Sequence, residues 1–133
     1  MKTVNFAYIN DLYDYLFGQT DEWLEENFDM DRPADRAMFF EEAKKTFQQS
    51  GPKSQARAVE AMEFILSEPS VETHWRRVIP HDFPATVFNI STDKRAYLRG
   101  LFEAVVGGKP KEDVETQDTT VLTIHDPKWH PSE

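Results

Sequence analysis

TDKRAYLRGLFEAVVGG, residues 92–108, decides the fold class. Tyr97, Leu98, Leu101, Phe102 and Val105 recur at spacings of three and four, which sets them on one face of a helix. Thr92 or Asp93 stands where an N-cap belongs, and Gly107-Gly108 closes the segment. One strong amphipathic helix needs other apolar faces to pack against, so the rest of the chain is searched for the same period.

Working back from that helix, IPHDFPATVFNIS at 79–91 has two prolines and no clean alternation. It reads as a loop that can hold a short extended piece at Thr86 to Ile90. Residues 70–78 suit a short helix with Val71, Trp75 and Val78 inward. Residues 53–67 repeat Ala58, Val59, Met62, Ile65 and Leu66, and Ser50-Gly51-Pro52 separates them from a helix at 34–49. That helix has Pro33 at its start and a stripe of Ala37, Phe40, Ala43 and Phe47. Upstream, Thr20 caps a helix running to about Asn27, with Leu24 and Phe28 sharing a face. Residues 5–18 place Ile9, Leu12, Tyr13, Leu16 and Phe17 inward and stop at Gly18. After residue 108 a polar run leads to Val121, Leu122 and Ile124, which suit a docked extended segment or a loose end. The expected fold is all-α: a helical bundle of about five or six helices with a partly extended C-terminal tail. It forms a single domain over 1–133, with its core in about 5–108 and an acidic tail at 109–133.

The 133 residues include no cysteine, which removes disulfides, thiolate metal sites and cysteine nucleophiles together. The first residues lack a signal-peptide core, and no apolar run approaches the ~20 residues of a membrane span. A cytoplasmic protein is expected. The net charge of −9 is unevenly spread. Residues 1–31 hold eight acids against Lys2 alone, a net of −7; residues 32–109 hold ten acids and twelve bases; residues 110–133 hold six acids and two bases. Such a field repels nucleic acid and anionic membranes and steers basic partners toward it.

The acidity concentrates in DEWLEENFDMD, residues 21–31, with six carboxylates and no base. A calcium loop counted from Asp29 through Asp31 and Asp35 needs an oxygen ligand, glycine and glutamate where Pro33, Ala34 and Phe40 stand. The four histidines form no zinc-protease pair. His125 and His130 could serve as an acid–base pair in a small hydrolase or nuclease, but an acidic chain is a poor host for an anionic substrate. His74, Arg76 and Arg77 read as a helix end carrying favourable charges. No nucleophile elbow, phosphate loop or dinucleotide fingerprint is present. Neither a catalytic residue nor a metal or cofactor is assigned, and the chain is expected not to be an enzyme.

LYDYLFGQTDEWLEENF, then FFEEAKKTFQQSG and QARAVEAMEFILSE, a loop, and TDKRAYLRGLFEAV follow one another in an order that resembles the immunity proteins of bacterial contact-dependent growth inhibition systems. The likeness lies in segment order and aromatic placement over roughly residues 9–106. It implies an all-helical cytoplasmic protein, expected to be monomeric, that binds and blocks one cognate toxin domain, often a basic nuclease. The partner-binding residues come from the charge pattern instead: Asp21, Glu22, Trp23, Glu25, Glu26, Asp29 and Asp31, the carboxylates for steering and Trp23 as anchor. Two readings of Trp23 stand at this point, core residue or contact residue. A generic acidic helical interaction protein with a non-toxin partner is the alternative.

Overall fold

The structure is a computed structural model that describes residues 2–78, 83–84, 93–117 and 119–123, without the side chains of Lys2, Arg76 and Arg77. The expected loop at 79–91 (Phe83 and Pro84 apart), Thr92, Ile124, His81, His125 and His130 lie outside the described residues.

The chain enters on a strand, β1 (Lys2–Asn5), which turns at once into helix. Asn5 is nearly fully buried, and its side-chain oxygen accepts the Ala7 amide at 3.0 Å. That bond supplies the first helical amide with a partner, as an Asx turn does. Two helical turns follow, α1 (Ala7–Asn10) and α2 (Asp14–Phe17), joined by a 3₁₀ turn at Asp11–Tyr13. Ile9, Leu12, Tyr13 and Leu16 are buried as their spacing predicts, but Phe17 is 50% exposed. The 3₁₀ turn explains the difference. Each of its residues rotates the chain about 20° further than an α-helical residue, so three of them turn Phe17 off the buried face.

Helix α3 (Asp21–Asn27) is capped by the Thr20 side chain, which accepts the Trp23 amide at 3.1 Å. Leu24 and Phe28 enter the core together. Pro33 opens α4 (Pro33–Gln49) at its first position, where the missing N–H has no intrahelical partner to lose. The buried line of α4 is Phe39 and Ala43, with Met38, Phe40 and Phe47 partly buried beside it. Ala37 is exposed. It lies about 120° around the helix from Ala43, and the larger Phe39 side chain takes the inward position. Helix α5 (Pro52–Ser67) buries Ala58, Met62, Ile65 and Leu66, leaves Val59 only partly covered, and adds Ala61 and Phe64 to the core. A 3₁₀ turn (Val71–His74) leads into α6 (Trp75–Val78).

Helix α7 (Lys94–Val106) packs across both α4 and α5. Its five predicted stripe residues are all buried, and Asp93 is the cap, accepting the Arg95 amide at 2.9 Å. Gly100 faces α4, where an added Cβ would make ordinary van der Waals contact with the Phe40 ring at 3.5 Å. Gly107 ends the helix with φ +89°, a left-handed value that only glycine takes without strain. The chain then crosses the surface to β2 (Thr119–Leu122), which pairs in parallel with β1, Val4 opposite Val121. Parallel strands need a long connection. Here the whole helical bundle is that connection. The molecule is thus a mostly helical bundle with one small two-stranded sheet, and the extended part of the tail is a docked strand.

Candidate partner-binding surface

Seven helical residues carry most of the acidic segment. Asp21, Glu22, Glu25 and Glu26 are all exposed on α3, while Leu24 is buried. Among the described residues none of the four has an ion-pair partner. Asp21 and Glu25 are four apart, as are Glu22 and Glu26, so two like-charge pairs sit in neighbouring turns. Each such pair destabilises a helix by a few tenths of a kcal/mol, about 0.2–0.5. Asp21 and Glu22 recover part of this through the helix N-terminus; Glu25 and Glu26, in the last turn, do not.

Trp23 is half-buried and packed against the core, with part of its surface still exposed. Its carbonyl accepts the Asn27 side-chain amide at 3.1 Å.

Asp29 and Asp31 do different work. Asp29 accepts the Asp31 amide at 3.0 Å, while its own amide donates to the Asp35 carboxylate at 3.0 Å. Asp35 also binds the Arg32 guanidinium at 2.9 Å. Arg36 donates to the Met30 carbonyl at 2.9 Å and lies 3.5 Å from Asp31. These bonds build the turn that carries the chain from α3 into α4 with Phe28 and Met30 buried inside it. The Asp29 carboxylate is therefore tied to the backbone and that of Asp31 lies against Arg36, whereas the four on α3 face solvent.

Phe17 is exposed, where helical spacing places it inward. Its ring stacks on Phe83 at 4.7 Å between centroids, which holds an exposed aromatic in a fixed orientation. Asp21 follows it four positions later, at most about 14 Å along the chain. No periodicity rule detects a single 3₁₀ turn such as the one at Asp11–Tyr13.

His74 lies between the rings of Phe6 and Phe64, with Nε2 3.4 Å from Glu68. Among the described residues no group of three acidic or histidine side chains could hold a metal ion, and no helix is long and apolar enough to cross a membrane. Comparison with family models, with curated proteins and with solved structures returns no match.

Proposed function

We propose that this chain is an immunity-type protein that acts by stoichiometric binding in the cytoplasm, neutralising a basic toxin domain through the exposed face of α3. The observation that carries the reading is the set of four exposed carboxylates without ion-pair partners among the described residues, arranged as two like-charge pairs on the helix that bears Trp23. The like-charge pairs cost the folded helix a little, most clearly at Glu25 and Glu26, and a cationic surface relieves them. A nuclease must present lysine and arginine to bind phosphate backbones, so an acidic inhibitor can cover the same surface. The order of aromatic segments over residues 9–106, similar to contact-dependent growth inhibition immunity proteins, supplies the class of partner.

The test is co-expression with the C-terminal domain of a large secreted protein, where one is encoded next to the gene for this chain, followed by stopped-flow association at several salt concentrations. A one-to-one complex is expected, with an association rate that falls as salt rises. Glu25→Lys/Glu26→Lys should slow association by about tenfold or more through loss of steering. Those positions lie in the last turn of α3, where positive charge suits the helix end, so the variant keeps its fold. A variant that associates as fast as the parent protein sinks the acidic-face reading. Recovery of no complex sinks the toxin partner.

A further inference from the structure

The path from Gly107 to Leu122 is held to the bundle in an unusual way. No described residue from 109 to 123 is fully buried; Pro110, Val114 and Val121 are partly covered, and Leu122 is 41% exposed. The attachments are polar instead. Glu112 accepts from Nε and Nη2 of Arg99, at 3.0 and 2.9 Å, and lies 3.8 Å from Arg95. The Lys111 amide donates to Glu63 at 2.9 Å, and the Val114 amide to the Ser67 hydroxyl at 2.9 Å, so the segment is laid along α5. Beyond it, β2 is joined to β1 by backbone bonds, continued by the Phe6 amide to the Leu122 carbonyl at 2.8 Å.

The two strands are unequal partners. β1 belongs to the core: Val4, Asn5 and the following Phe6 are buried. β2 contributes Val121 alone to that packing. Lifting the C-terminal segment therefore exposes little apolar surface, and regions of that kind open locally at a small fraction of the global free energy. The segment also forms one wall of a surface groove of about 370 Å³, with Lys111 and Val114 facing Ala56, Val59, Glu60 and Glu63 of α5.

We propose that residues 109–117 and β2 form a strap that detaches from the bundle as a unit, with the Glu112–Arg99 pair as its clasp. Release uncovers the edge of β1 and opens the α5 groove along one wall, while α4, α5 and α7 stay folded. The clasp is an exposed ion pair, so salt weakens it.

Amide hydrogen exchange read residue by residue on the full chain tests this. The Phe6, Lys111 and Val114 amides report the strap; Met62 and Ile65 of α5, with Leu98 and Leu101 of α7, report the bundle. Glu112→Gln, or raising salt to 1 M, should speed exchange at the strap reporters about two- to fivefold and leave the bundle reporters unchanged. The chain has no cysteine, and Thr3 and Thr120 are register partners exposed on the two strands, so Thr3→Cys/Thr120→Cys can be oxidised to lock the strap. The locked form should cancel the gain from Glu112→Gln at Phe6. Unchanged strap reporters in Glu112→Gln, an equal acceleration of the bundle reporters, or a disulfide without effect would each overturn the proposal.

Discussion

The hydroxyls of Tyr13 and Tyr97, 84 residues apart in the chain, meet at 2.9 Å with both rings buried. The bond ties the N-terminal helical turns to α7. Tyr13 stacks on Phe39 at 4.8 Å, and Arg36 lies over the Tyr97 ring at 5.4 Å. Replacing either tyrosine by phenylalanine leaves the other hydroxyl buried without this partner, at a cost of about 1–3 kcal/mol. Tyr13→Phe/Tyr97→Phe removes both and should cost less than the two single changes added together, which urea unfolding of the four proteins would measure. The pair also sets an alkaline limit. Burial pushes both phenols above their ordinary value of 10.0. An acid whose pKa is raised in the folded state contributes stability below its unfolded pKa and loses it as pH rises. The unfolded chain ionises its tyrosines near pH 10 while the folded chain holds these two neutral, so stability should fall above about pH 10. The double phenylalanine variant should show a shallower fall, and an equally steep one would place the alkaline sensitivity elsewhere.

A second expectation concerns the short helix that bears the acidic face. Helix α3 has seven residues, too few for propensity to hold it, and carries two like-charge pairs. Its order rests on Leu24 and Phe28 in the core and on the Thr20 cap. Thr20→Ala should cost about 1 kcal/mol, while Thr20→Ser keeps most of the stability. The fluorescence of Trp23 against the core is the local readout. A Thr20→Ala protein with unchanged denaturation midpoint would mean that α3 is held by its buried side chains alone.

The legibility of this chain follows the scale of each signal. α7 and most of α5 were readable because their apolar residues repeat over several turns, and the stripe Tyr97, Leu98, Leu101, Phe102 and Val105 is buried throughout. Phe17 and Ala37 were misplaced because each depends on a rotation that periodicity alone does not fix: a 3₁₀ turn in one case, competition with the larger Phe39 in the other. β1 carries too short an alternation to be recognised, and its pairing with residues over a hundred positions away is tertiary. At the acidic segment, charge was visible from composition, but its division was not. Asp29 and Asp31 belong to the turn because Asp35 and Arg36 reach back to it, a relationship that spacing does not reveal.

Arg95 carries the third expectation. From the first turn of α7 its guanidinium donates to the carbonyls of Leu66 and Glu68, the latter at 2.7 Å. These carbonyls lie at the end of α5, where no further helical amide can satisfy them. One planar group with several fixed donors bridges both, and also stands 3.8 Å from Glu112. Arg95→Met keeps the stem and removes every donor, leaving the carbonyls short of partners; the expected loss is about 1.5–3 kcal/mol, typical of hydrogen bonds to a charged group. Arg95→Lys restores the charge but not the fork, so it should recover only part of that loss. Chemical denaturation of the two variants distinguishes the cases. Full rescue by lysine would show that charge near Glu112 matters more than the capping of α5, and a neutral Arg95→Met would show that water serves these carbonyls equally well.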